Sequence, residues 1–164
     1  MRTATHDQSE IVHLNRLGVR FLIDGDETGG RFSVVEYQLP PRALGAPPHT
    51  HSEEEEYSFV FEGRVGLQLA DEVFEAGPGE LVVKRRGLEH AFWNAGDEPA
   101  RILELISPAG FENYFRDLAP LLAAHDQPAI AAVVARYGLT IDHTSIPAFI
   151  ERHGLRAAGP DTEE

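Results

Sequence analysis

Along the first two thirds of the chain, apolar and β-branched residues come in short runs separated by glycine, proline and aspartate. Val19 to Ile23 is one such run, closed by Asp24-Gly25-Asp26, and Arg31 to Leu39 is the next, after Gly29-Gly30. Further runs span residues 56–62, 65–70, 72–75, 80–83, 90–94 and 101–107. Short strands at this regular spacing predict an all-β sandwich or barrel. The period changes after Pro108-Ala109-Gly110. Phe111, Tyr114, Phe115, Leu118, Leu121 and Leu122 recur at helical spacing. Asp126 is placed to cap a second helix with Ile130, Val133, Val134 and Tyr137 on its apolar face, ended by Gly138. Ser145 is placed to cap a third, from Ile146 to about His153, stopped by Gly154. The pattern predicts a flexible arm over residues 1–10 and a β-barrel over 11–107. Helices over 108–156 then pack on the outside of the barrel, each burying one stripe, and 157–164 form a disordered tail.

Composition narrows the class. The chain has 164 residues, enough for one domain with a core, and a formal net charge of -13. That charge argues against nucleic acid and against an anionic membrane surface as partners. Cysteine is absent, so thiol chemistry is excluded and a metal site has to use His, Asp, Glu or backbone. The first ten residues lack an apolar stretch and no run reaches membrane-spanning length, which leads to the expectation of a cytoplasmic protein.

The chemistry concentrates in His49-Thr50-His51, followed by Glu56 and later by His90. Residues two apart on a strand share a face, so His49 and His51 converge on one point if their segment is extended, as Pro47 and Pro48 favour. Three imidazoles and a carboxylate suit a divalent ion such as Fe, Ni, Mn, Co or Zn. An octahedral ion held by these four keeps two positions open, for waters, a bidentate substrate, or a substrate oxygen and O2. His6, His13, His125, His143 and His153 lie in arm, loop or helix segments without a partner pattern and read as ordinary surface or hydrogen-bonded residues.

These residues resemble the cupins, small β-barrel proteins. The first cupin motif is matched by His49-Thr50-His51, Glu56 and Gly63, the second by Gly79, Gly87, His90 and Asn94, with a short segment from Arg64 to Pro78 between them. Ala43 stands where the first motif has glycine, and Arg85 where the second has proline. Neither position ligates metal in the family. The resemblance implies a double-stranded β-helix, a jelly-roll barrel, here with a C-terminal α-helical extension. It also implies metal ligation by His49, His51, Glu56 and His90, and a homodimer. The flanks Thr28 to Phe32 and Phe92 to Gly96 look similar to a bacterial subset labelled quercetin-dioxygenase-like. The expected function is a metal-dependent oxidoreductase of dioxygenase type, taking O2 and a small enolisable or phenolic substrate. A non-redox isomerase or lyase and a non-catalytic small-molecule-binding barrel are the alternatives.

Strand parity sharpens the site. Glu55 and Glu56 point to opposite faces, and Glu56 keeps the interval to Gly63, so Glu56 is favoured as ligand and as proton-abstracting base. Glu53 and Glu54 then belong to a solvated acidic loop. Ser58 and Val60 share the face of Glu56, and Phe92 and Asn94 share that of His90, which makes these four the candidate substrate-binding residues. Tyr57, Phe59 and Phe61 face outward, to be covered by the helices or a partner subunit. Lys84-Arg85-Arg86, holding the single lysine, reads as a solvated turn, with an anion site at the barrel mouth as the alternative.

Overall fold

A computed structural model describes residues 10–156. The expected arm at 1–9 and tail at 157–164 lie outside the described residues. Strands β1 (Ile11–Leu14), β2 (Leu17–Ile23) and β3 (Ser33–Leu39) flank a single helical turn, α1 (Gly25–Thr28). Strands β4 (Leu44–His51), β5 (Glu55–Glu62), β6 (Val65–Leu69), β7 (Glu72–Ala76), β8 (Leu81–Lys84), β9 (His90–Asn94) and β10 (Ala100–Ser107) complete the barrel. Helices α2 (Glu112–Ala123) and α3 (Gln127–Arg136), strand β11 (Leu139–Ile141) and helix α4 (Ile146–His153) follow.

The strands form two antiparallel sheets, one in the order β1-β2-β3-β10-β5-β8 and the other β11-β4-β9-β6-β7. This is the expected jelly-roll barrel with a C-terminal helical extension. Alternation places Val19, Val35, Leu39, Val60, Ile102 and Ile106 of the first sheet, and Val65 and Leu67 of the second, in one core. At Gly45 a β-carbon would come within 2.2 Å of the Phe92 ring, so the missing side chain lets that ring lie flat on β4. The turn carrying Arg85 in place of proline is held by other means: Gly87 N–H donates to the carbonyl of His51 at 2.9 Å, and Leu88 N–H to that of Arg85 at 3.0 Å.

Three elements differ from the sequence pattern. β1 and β11 are too short to show a period, and each is stabilised by pairing, β1 with β2 and β11 with β4. The Asp24-Gly25-Asp26 turn continues into α1, where the Glu27 carboxylate accepts from Asp24 N–H at 3.2 Å. Asp126 caps α3 through Ala129 N–H at 3.1 Å. Ser145 does not cap α4 with its side chain; its hydroxyl donates instead to the carbonyl of Asp142.

The C-terminal helices divide between two places. Helix α4 packs on an outer sheet face, setting Phe149 against Ala91 and Trp93 of β9 and Ala95 just beyond it. Helices α2 and α3 cover an open end of the barrel instead. Arg116 anchors α2 by donating to Asp24 at 2.8 Å and Glu10 at 2.9 Å, with its guanidinium over the Phe21 ring. Buried Glu112 accepts from Gly25 N–H at 3.0 Å and Gly110 N–H at 2.6 Å. Tyr57 and Phe59 are only half-buried and Phe61 is exposed.

Candidate metal centre

His49 and His51 come from β4, Glu56 from β5 and His90 from β9, so the cluster joins both sheets. One potential ligand atom from each of the four lies within 4.8 Å of the others, and all four residues are buried. His49 Nε2 is 3.1 Å from His51 Nε2, His90 Nε2 is 3.1 Å from Glu56 Oε2, and His51 Nε2 is 3.5 Å from Glu56 Oε1. Glu55 lies on the opposite face of β5, where it accepts from the Tyr57 hydroxyl.

The outer nitrogens decide what the inner ones offer. His49 Nδ1 sits 2.8 Å from the carbonyl of Pro47, and His90 Nδ1 3.0 Å from that of Leu88. A carbonyl only accepts, so each Nδ1 carries the proton and each Nε2 turns a lone pair inward. His51 Nδ1 faces Glu54 Oε2 at 3.4 Å. Glu54 is therefore no solvated loop residue: it lies against a cluster histidine with its side chain 11% exposed. The 3.1 Å between His49 Nε2 and His51 Nε2 suits one cation, because two nitrogens bound at about 2.1 Å with angles of 90–109° stand roughly 3.0–3.4 Å apart. Burial, with His90 and His51 as neighbours, lowers the His49 pKa well below its ordinary value; burial also lowers that of His90, against its hydrogen bond to Glu56. Both imidazoles thus stay neutral and able to ligate below pH 6.5.

Behind this cluster lies a charge network that the sequence pattern did not show. Lys84, expected in a solvated turn, is 1% exposed and points inward from β8. Its Nζ donates to Glu56 Oε2 at 2.7 Å and to Glu104 Oε1 at 2.8 Å, while Ser58 donates to Glu104 Oε2 at 2.6 Å. Burial opposes ionisation of Glu56, but Lys84, His51 and His90 together hold its carboxyl well below the usual range. Burial pushes Glu104 up to about 7 despite Lys84. Burial also works against the Lys84 charge, and the two carboxylates more than offset it.

A sign follows for Glu104. Its folded pKa is raised above the unfolded value near 4.5, so its contribution is full below pH 4.5 and is lost as pH rises through about 7. The stability of the metal-free protein relative to Glu104→Gln is expected to fall by about 3 kcal/mol between pH 4 and pH 8. Urea denaturation of both proteins across that range measures it, and a pH-independent difference would contradict the placement.

The cluster sits at the edge of a cavity of about 330 Å³, lined by His49, His51 and Glu56 and walled by Tyr37, Phe92, Phe111, Tyr114, Phe115 and Leu118 among others. That volume is in the range of small-molecule sites. Phe111 presses edge-on against His51 with ring centroids 4.5 Å apart, so α2 closes the chamber directly over a cluster imidazole. Of the four candidate substrate-binding residues, Phe92 lines the cavity; Ser58, Val60 and Asn94 do not. Ser58 is committed to Glu104 and Val60 to the core. The Asn94 amide ties down the carbonyls of Leu39, Pro40 and Glu98 at 2.8–3.1 Å. His143, read as an ordinary histidine, is part of the cavity lining.

A jelly-roll barrel with three histidines and a glutamate converging at one end of its chamber has the architecture of a cupin. Residues 35–106 match the family model of the cupin domain, which supports membership of the cupin superfamily. Among solved structures, a sugar phosphate isomerase from a cupin superfamily, from Silicibacter pomeroyi, is 26% identical, with a TM-score of 0.55 over 65% of this chain and 75% of that one. A predicted oxalate decarboxylase from Thermotoga maritima is 14% identical, with a TM-score of 0.62 over 65% of this chain and 99% of that one. KdgF from a Halomonas species is 14% identical, with a TM-score of 0.61 over 69% and 98%. The last two likenesses show the fold alone. A sequence search of curated proteins finds no match. No described helix is long and apolar enough to cross a membrane.

Proposed function

We propose that the protein is a mononuclear metal-dependent oxidoreductase of dioxygenase type, acting on a small, largely apolar compound with an enolisable or phenolic oxygen. The observation that carries this reading is the joining of a three-histidine, one-carboxylate donor set to a chamber with mainly aromatic and aliphatic walls. A divalent ion held by His49, His51, Glu56 and His90 would supply Lewis acidity toward an enol or phenol and, if redox-active, a route for electrons between substrate and O2. The carbonyls of Pro47 and Leu88 orient two of the imidazoles. Lys84 holds Glu56 Oε2 at 2.7 Å, leaving Oε1 to receive the substrate proton. Lys84 keeps that carboxylate a weak base, which restricts the reaction to acidic hydroxyls. Phe92 is part of the chamber wall, packed against Gly45 and Tyr37, and Phe111 covers His51.

A non-redox isomerase or lyase working through an enolate is the second reading, favoured by the sugar phosphate isomerase among the neighbours. The mainly apolar walls favour the first for the bulk of the substrate, while Arg16 and Arg156, also in the lining, are the groups a phosphorylated sugar would need. Oxygen uptake by Fe-, Ni- and Mn-loaded protein, across a panel of flavonols, diketones and catechols, separates the two. The proposal expects consumption with at least one class, abolished in His49→Ala. No uptake with any of them, together with anaerobic turnover by the Zn-loaded protein, would overturn it in favour of the second.

A further inference from the structure

The chain has four tyrosines, and their hydroxyls divide into two kinds. Those of Tyr57 and Tyr137 lie outside the cavity lining and donate to carboxylates, to Glu55 at 3.0 Å and to Asp117 at 2.6 Å. Tyr37 and Tyr114 both line the cavity and are at least nine-tenths buried. Neither of their hydroxyls has a hydrogen-bond partner among the described residues. Neither hydroxyl is among the fully buried side-chain atoms left without a partner, so both open onto the cavity that their residues line.

Aromatic packing fixes both rings. Tyr37, on β3, stacks on Phe92 with centroids 5.2 Å apart and meets the edge of Phe115 at 5.8 Å. Tyr114, in the first turn of α2, stacks on Phe111 at 4.9 Å and meets Phe115 at 5.7 Å. Phe115 thus touches both tyrosines, while Phe111 links Tyr114 to the metal cluster through its contact with His51. One tyrosine comes from the barrel wall and the other from the helical roof, so the pair exists only when α2 is docked. Burial raises both phenols, Tyr37 well above its ordinary value with Glu104 and Glu56 adding to the effect, and Tyr114 to about 12. Both therefore remain protonated donors at neutral pH.

We propose that Tyr37 and Tyr114 form a hydroxyl subsite inside the apolar chamber that donates to a second oxygen of the substrate, apart from the oxygen directed at the metal cluster. This rests on the function proposed above and deepens it. The preferred substrate then carries two oxygen groups on a largely apolar frame, one for the cluster and one for the tyrosine hydroxyls. A monofunctional phenol would leave both hydroxyls unsatisfied, and a site built with polar groups discriminates against ligands that lack the matching one.

The test uses two probes, 3-hydroxyflavone and its ring-hydroxylated congener quercetin, titrated into Ni-loaded wild type, Tyr37→Phe, Tyr114→Phe and His49→Ala and followed by ligand absorbance. Wild type is expected to prefer quercetin. Each phenylalanine variant should lose about 3- to 10-fold in quercetin affinity while keeping that for 3-hydroxyflavone, and His49→Ala should weaken both. Thermal unfolding of the ligand-free variants is the second measurement. Deleting an unpartnered hydroxyl while keeping the ring should leave Tm unchanged or raise it. Unchanged preference in both phenylalanine variants, or a fall in their Tm, would overturn the subsite and leave the metal-centre reading standing. Failure of wild type to bind either probe would overturn the parent reading for this substrate class and the subsite with it.

Discussion

Replacing Lys84 by methionine is expected to cost the metal-free protein about 3–5 kcal/mol of stability. The ammonium is the cation between two buried carboxylates, 2.7 Å from Glu56 and 2.8 Å from Glu104. Methionine fills a similar volume, so the loss is electrostatic and not a packing defect. Without the lysine, Glu56 and Glu104 face each other with little solvent access, and at least one has to take up a proton. Two controls separate this from general damage. Lys84→Met combined with Glu104→Gln should recover much of the loss, because one of the opposed charges is gone. The cost should also shrink as pH falls through about 7, where Glu104 protonates. A lysine in a solvated turn would cost no more than about 0.5 kcal/mol on substitution. Urea denaturation distinguishes these outcomes.

Divalent metal is expected to stabilise the folded chain by about 4 kcal/mol when free ion stands 1,000-fold above its dissociation constant. The donor set is present only in the folded state, since it combines residues from three strands of two sheets. Stabilisation should increase with the logarithm of ion concentration and disappear in His49→Ala and His90→Ala. Glu55→Ala should retain it, since that side chain turns away toward Tyr57. Thermal unfolding at graded Ni and Zn concentrations measures the effect. Equal stabilisation of wild type and His90→Ala would place the ion elsewhere.

Much of the barrel was legible because its strands alternate with period two and its turns carry glycine and proline. Alternation put Glu55 and Glu56 on opposite faces, and the cupin-motif interval from Glu56 to Gly63 favoured Glu56 as the inward one. Lys84 was misread because it stands beside Arg85 and Arg86, which are exposed, and the basic run concealed that it shares a face with Val82. The signal was present in the neighbouring strands as well: Glu104 lies between Ile102 and Ile106 on one face, an isolated carboxylate in an apolar row that calls for a cation. The register that sets Lys84 opposite Glu56 arises from pairing of β5 with β8 and has no local signature. The chamber roof was equally hidden. Helical periodicity identified the apolar stripe of α2, but not whether it meets a sheet face or a barrel mouth. That choice depends on Arg116 reaching Glu10 and Asp24 and on Glu112 reaching Gly25, contacts that span 87 to 106 residues. Asn94 shares a face with His90 as parity requires, yet three loop carbonyls claim its amide, so orientation toward the interior did not amount to a place in the pocket.

Elemental analysis of protein produced in metal-supplemented medium and purified without chelator tests the metal centre most directly. The structure predicts one tightly held divalent ion per chain in wild type and none in the His49→Ala/His90→Ala double variant, with both proteins folded by circular dichroism. Metal-replete wild type that carries no ion, or a double variant that carries as much as wild type, would contradict it.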